Sequence, residues 1–359
     1  MIPLLVDLEE QWRGGQNQFY LLLKGLCERG HRPELLAAKD SALGRRAANA
    51  GICVHYTSRG LLRFPAAMKV RRLMGEGRFD LVHVNESHAL SSAWMAGAHR
   101  RAPLLISRRV GFPLGPGYFP RARFDAAARI IASSRWVAEQ AVRSGVQRKK
   151  LTVIYEGVEI PPMFGRAVRQ ADRARWHVNP DDSLLGCAGV LLESKGQEWV
   201  IRALAKLRGE FPGCKLLLAG EGPDRSRLEQ LAADLKVQGA VIFAGFVADI
   251  EAFYRATDIF VFPALFEGLG TSLLAAMAHQ IPAVTYTGCA LGEIVENGIS
   301  GLQVEPRNPD ALAEALRKLL GDRGFAARIG DAGRWRIAEI FSADRMVEET
   351  LRLYLEVCN

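Results

Sequence analysis

Three segments of the chain combine residue types suited to handling phosphate. Trp12-Arg13-Gly14-Gly15-Gln16-Asn17-Gln18 sets paired glycines between an apolar run and a helical stretch. Such a turn lets backbone N–H groups approach an anion at a helix N-terminus, and serves equally as a plain structural turn. Gly189-Val190-Leu191-Leu192-Glu193-Ser194-Lys195-Gly196 places a lysine where a helix opens. There Lys195 either holds a phosphate as a point charge or stands in solvent. In the third segment an apolar strand ends at Pro263, Glu267 follows, and Gly268-Leu269-Gly270-Thr271 opens an apolar helix. The N–H groups of Leu269, Gly270 and Thr271 are expected to point at a phosphate, aided by the helix dipole. The Glu267 carboxylate either accepts hydrogen bonds from sugar hydroxyls or caps the turn.

The elements that must position these residues are legible as alternating apolar runs and amphipathic stretches, the βα pattern of parallel sheets. In the first half the expected strands are 2–6, 34–38, 80–84, 103–107, 129–132 and 151–155. In the second they are 184–190, 214–219, 240–244, 258–262 and 282–286. The first helix is expected from about Gln16 to Arg29, stopped by Gly30. Pro161-Pro162-Met163-Phe164-Gly165 breaks the pattern, and a new sheet begins near Leu184. Two doubly wound α/β sheets in tandem imply a ligand crevice at their strand C-termini.

The chain has 359 residues and six scattered cysteines without a Cys-x-x-Cys pair, which reads as reduced, structural thiols. No apolar run reaches the roughly 18–20 residues of a membrane span, and Met1–Asp7 reads as a first strand, not a signal peptide. Charge is unevenly placed. Residues 1–160 hold 25 Lys/Arg against 13 Asp/Glu, and the remainder holds 22 against 26. A basic first half points to an anionic partner or to a merely solvated face. No nucleic-acid-binding motif is present, so an anionic membrane surface or a phosphorylated lipid is the expected partner, and nucleic acid is not.

Taken in order, these landmarks resemble the group 1 retaining glycosyltransferases, which have the GT-B fold of two Rossmann-like domains facing a cleft. The resemblance rests on Gly14-Gly15, Asp80-Leu81-Val82-His83, Val153-Ile154-Tyr155-Glu156-Gly157-Val158-Glu159, Lys195-Gly196, Leu217 to Pro223, Gly245-Phe246-Val247, Glu267 to Gly270, and Gly292 to Leu302. It covers nearly the whole chain. It implies an N-terminal acceptor-side domain over 1–163 and a nucleotide-sugar domain over 164–339. A last helix at about 340–359 is expected to pack back on the first.

The resemblance also implies roles. Gly14 and Gly15 approach the donor diphosphate and sugar, and Lys195 neutralises the leaving group. Gly189, Val190 and Gly222 line the donor site. Phe246 and Val247 line the base pocket, Glu267 contacts sugar hydroxyls, and Gly268, Leu269, Gly270 and Thr271 cradle the distal phosphate. Arg109 stands where the family often has a histidine near the reacting sugar, so Glu267, Lys195 and Arg109 are the expected catalytic set. Glu86, His88 and Arg108 are expected to meet the acceptor, whereas His83 reads as a core histidine. No Asp-x-Asp occurs, in keeping with metal-independent chemistry and no cofactor beyond the nucleotide-sugar substrate.

Besides Arg109, the chain departs from the family at two further positions. Val190 stands where an arginine is usual, and Ala275 where a second glutamate holds the ribose. The leading expectation is transfer to a lipid-linked or cell-envelope saccharide by a cytoplasmic enzyme, peripheral at the inner face of the membrane. A non-catalytic nucleotide-sugar-binding or partner-binding subunit is the alternative. A dinucleotide oxidoreductase is disfavoured, because Gly220-x-Gly222-Pro223 lacks the third glycine.

Overall fold

The computed structural model describes residues 1–58, 64–115 and 118–359, with side chains from residue 121 onward in the last segment. The apolar runs form strands buried on both faces, as parallel sheets sandwiched by helices require. The first sheet comprises β1 (Pro3–Asp7), β2 (Glu34–Ala38), β3 (Cys53–Thr57), β4 (Leu81–Val84), β5 (Leu104–Arg108), β6 (Arg129–Ala132) and β7 (Leu151–Val153). Their order is β3-β2-β1-β4-β5-β6-β7. The second comprises β8 (Ser183–Ala188), β9 (Cys214–Ala219), β10 (Val241–Gly245), β11 (Ile259–Phe262), β12 (Ala283–Tyr286) and β13 (Leu302–Val304), in the order β10-β9-β8-β11-β12-β13. Both are doubly wound Rossmann-like sheets, and the chain has the GT-B fold.

The chain forms two compact units, 1–157 with 343–359, and 158–342. The division falls after Gly157, six residues before the expected boundary at Met163, because Val158 N–H already donates to Phe341 O of the second unit. The last helix, Ala343–Cys358, belongs to the first unit. It buries Met346, Val347, Leu353 and Tyr354 in the cluster that includes Leu5, Phe19 and Leu105. Burying such side chains contributes about 1.5–3 kcal/mol each before entropy is counted.

Strand order reverses once in each sheet, between β1 and β4 and between β8 and β11. The crevice outside the strand C-termini at such a switch point is where this class of sheet binds ligands. In the first unit Asp7 ends β1, and Asn85 and Glu86 follow β4. The Lys195 and Glu267 loops follow β8 and β11 in the second.

Candidate functional site

In the second unit the switch point brings two of the expected residues together. Parallel pairing of β8 with β11 sets their outgoing loops side by side, and Leu265 N–H donates to Ser194 O at 2.8 Å. Lys195 Nζ then donates to Glu267 Oε2 at 2.6 Å. The other Glu267 oxygen accepts from Gly268 N–H at 3.1 Å, so that amide is engaged by the glutamate.

The helix Thr271–Ala278 starts from Gly270 with φ +101°, with no side-chain cap and no acid in its first turn. Its first amides therefore have no internal acceptor and present the positive end of the dipole. A Cβ on Gly270 would sit 3.1 Å from the Phe262 ring in a left-handed conformation that L-residues avoid. Leu269 supplies backbone only, since its side chain is buried.

Other expected donor residues divide. Phe246 is 76% exposed at the C-terminal end of β10, a free aromatic face with Val247 beside it. Val190 is half exposed, and its carbonyl accepts from Gln197 Nε2 at 3.0 Å. Gly189 lies after β8 with φ +152° and open space where a Cβ would be. Gly222 is shaped by packing: a Cβ there would stand 2.2 Å from Leu191 O. Ala275 and Thr271 share the part-exposed side of the helix, while Leu273, Leu274 and Ala276 to Ala278 are buried.

In the first unit the helix Gly14–Glu28 begins at the two glycines themselves, two residues earlier than expected, again without a side-chain cap or first-turn acid. A network crosses the strand ends beneath it. Gln16 Nε2 donates to Asp7 Oδ2 at 2.9 Å, and Asn85 Nδ2 donates to the same oxygen and to Gly15 O at 3.2 Å. Arg109 Nη1 donates to both Asn85 oxygens, and its Nε pairs with Glu156 Oε1 at 2.6 Å. A Cβ on Gly15 would lie 3.6 Å from Arg109 Cδ, so the guanidinium stem passes directly beside this turn.

The two adjacent arginines part company. Strand alternation sends Arg109 over Phe19 on one face and Arg108 over Phe124 on the other. Arg108 is 7% exposed and its Nη2 donates to Phe112 O, with Nε unsatisfied. Burial lowers its pKa. The guanidinium thus holds its own loop and does not stand open toward an acceptor.

Glu86 also differs from expectation. It is the N-cap of the helix Ser87–Met95: its carboxylate accepts from Ala89 N–H at 2.7 Å, from His88 N–H, and from Leu8 N–H at 3.2 Å. An acid at an N-cap is an ordinary structural arrangement, and it commits both oxygens. Burial, seconded by the nearby Asp7 and Glu9 charges, outweighs those amides and pushes its pKa up to about 8. His88 remains half exposed, 3.6 Å from Glu9. The ligand atoms of Glu9, Glu86 and His88 lie within 4.8 Å of one another. His83 is the core histidine expected: Nδ1 meets Tyr354 OH at 2.6 Å and Nε2 meets Ser107 Oγ at 2.8 Å. Burial pulls its pKa down to about 3. Glu156 has no role assigned from sequence, although it stands where the family often has asparagine, whereas Asn85 belongs to the polar cluster with His83, Glu86 and His88 that the sequence places at a strand C-terminus.

Residues 168–336 match the family model described as glycosyl transferases group 1, and residues 12–160 match glycosyltransferase family 4. The chain belongs to the group 1 glycosyltransferases. It is 32% identical over 211 residues to an uncharacterized glycosyltransferase of Methanocaldococcus jannaschii, spanning 57% of this chain and 54% of that protein. To the lipopolysaccharide core biosynthesis glycosyltransferase LpsE of Rhizobium meliloti it is 26% identical, over 95% of both chains. Anabaena HepE, solved in complex with UDP-glucose, superposes with a TM-score of 0.87 at 22% identity over 99% of this glycosyltransferase and 100% of that chain. Likeness at that identity shows the fold. Among the described residues no helix is long and apolar enough to cross a membrane.

Proposed function

We propose that this glycosyltransferase moves a sugar, with retention, from a nucleoside diphosphate sugar to a lipid-linked or cell-envelope saccharide. The observation that carries the reading is the Lys195–Glu267 pair beside the uncapped start of Thr271–Ala278. A cation, a carboxylate and free amides at one switch point are the groups that a diphosphate and an adjoining sugar require.

Lys195 neutralises the departing diphosphate, the amides of Leu269 to Thr271 hold its distal phosphate, and Glu267 orients the sugar through its hydroxyls. The exposed Phe246 ring is a stacking platform for the base. In the first unit Gly14 and Gly15 admit the donor closely, Arg109 supplies positive charge at the reacting sugar, and His88 faces the acceptor. The reaction needs no metal on this reading, since these cations and amides already supply charge to the leaving group. That the Rhizobium relative serves lipopolysaccharide core biosynthesis supports an envelope acceptor, and that Anabaena HepE holds UDP-glucose makes this sugar the first donor to test.

The basic first unit is proposed to rest on the inner, anionic face of the membrane. A non-catalytic nucleotide-sugar-binding subunit is the second reading, favoured by Val190 and Ala275 in place of charged contacts. A thermal-shift panel of UDP-, GDP- and ADP-sugars tests the donor class, because a ligand bound only by the folded state raises the melting temperature. A shift with one base family, retained in chelator, is expected. No shift with any of them contradicts the reading.

A further inference from the structure

We infer that Glu156 is the positioning residue for Arg109. The inference rests on the reading of Arg109 as a group of the transfer site.

The seat of Glu156 is rigid. Gln18 clamps the next residue from both sides, donating through Nε2 to Gly157 O at 2.9 Å and accepting from Gly157 N–H at 3.0 Å. Two residues before Glu156, Ile154 N–H donates to Ala132 O at 3.1 Å. Glu156 itself is 8% exposed. A backbone held this way fixes where the carboxylate starts, and Glu156 Oε1 lies 2.6 Å from Arg109 Nε, a charge contact without hydrogen-bond alignment that draws the guanidinium to this side.

Arg109 is the member with the freer side-chain geometry, four rotatable bonds long. It lines a small, largely apolar cavity in the first unit, into which His83, Ser107, Ser133 and Thr350 bring polar groups. Ser133 Oγ is buried there and has no hydrogen-bond partner. The guanidinium therefore has a second place to go, toward the Ser133 hydroxyl. Glu156 and the two Asn85 oxygens hold it instead beside the Gly15 turn. Removing the carboxylate leaves the cation with the Asn85 oxygens alone on this side, and its direction is then less firmly set.

A positioning role has a kinetic signature. Misplacing a charged group by about an ångström costs on the order of a hundredfold in turnover while substrate affinity changes little. The experiment measures kcat and KM for the nucleotide sugar, with thermal stability, in Glu156→Gln, Glu156→Asp, Arg109→Met and the double variant Glu156→Gln with Arg109→Met. Glu156→Gln is expected to lower kcat about tenfold or more with KM changed less than about threefold. Glu156→Asp is expected to recover part of that loss. The double variant is expected to match Arg109→Met alone, because Glu156 acts through Arg109.

If Arg109→Met loses turnover while Glu156→Gln keeps the parent's, the positioning inference fails and the reading of Arg109 stands. Losses that add in the double variant, or that track lowered stability, likewise overturn it. If Arg109→Met itself turns over normally, the assignment of Arg109 to the transfer site is what fails.

Discussion

Lys195 and Glu267, 72 residues apart in sequence, meet in an ion pair with 2.6 Å between Nζ and Oε2. The pair has a consequence for ligand binding. Glu267 competes with a diphosphate for the Lys195 charge and repels the anion. Replacing it with glutamine removes both effects. Glu267→Gln is therefore expected to bind the free nucleoside diphosphate at least as tightly as the parent while turning over at least about tenfold more slowly. Calorimetry beside an initial-rate assay checks both halves. Unchanged turnover with unchanged stability reduces Glu267 to a structural partner of Lys195 and Gly268.

Lys195→Ala acts in the opposite sense. The lysine charge reaches phosphate and not base. Binding of the nucleoside diphosphate is expected to weaken by about 1–3 kcal/mol, and that of the free nucleoside hardly at all. Equal weakening of both ligands would assign Lys195 to the fold of the loop.

Much of this second-unit site was legible in sequence, because glycines, a lone lysine and a lone glutamate at strand ends mark it without tertiary information. The strands were legible for the same reason: β2, β6 and β9 fall on the expected residues because their runs are apolar on both faces. What sequence missed is polar or short. The edge strand β3, Cys-Val-His-Tyr-Thr, carries part-exposed side chains and no apolar run, and β13 has three residues, all half buried. The first-unit site was harder to read. Glu86 has the residue type of a ligand contact, and only three-dimensional placement shows its carboxylate taken by three amides. Arg108 and Arg109 look equivalent in sequence until strand alternation sends them to opposite faces. Glu156 becomes visible only once the fold brings it against Arg109.

Ala275 tests the placement of the donor in another way. It shares the open side of its helix with Thr271, one turn away. A methyl there accepts no hydrogen bond from ribose, so the parent is expected to discriminate poorly between ribo- and deoxyribonucleotides. Ala275→Glu is expected to tighten ribonucleotide binding by about 1–2 kcal/mol and leave the deoxy form behind. A strong ribose preference already present in the parent contradicts this geometry.

Glu86 predicts a pH dependence of stability. Its folded pKa, about 8, lies above the ordinary carboxyl value, so folding takes up a proton. The stabilisation is complete below the unfolded pKa near 4.5 and is lost as pH rises through 8. Melting temperature is expected to fall from pH 5 to pH 8 in the parent, and to fall less in Glu86→Gln, which keeps an acceptor for the helix amides. Identical slopes in the two proteins would place the titration elsewhere.

The basic first unit makes a prediction about surfaces. The helix Phe64–Gly75 exposes Phe64 and Met68 alongside Arg71 and Arg72, an apolar and cationic face together. Arg100, Arg101 and Arg121 are exposed as well. Each cation near an anionic bilayer is worth about 1 kcal/mol and is screened by salt. The protein is expected to pellet with anionic vesicles at low salt, to be released at high salt, and to ignore zwitterionic vesicles. Failure to pellet at low salt leaves the charge as simple solvation of the surface.

The most direct measurement is release of nucleoside diphosphate from a nucleotide sugar, without added acceptor. The parent is expected to cleave slowly, by transfer to water, at least one of the UDP-, GDP- and ADP-sugars that raises its melting temperature. Nuclear magnetic resonance is expected to show the freed sugar first in the donor's own anomeric configuration. Glu267→Gln is expected to bind the same donor and release nothing measurable. A parent that neither binds nor cleaves any of these sugars, or that frees the opposite anomer, would contradict retaining transfer at the Lys195–Glu267 site.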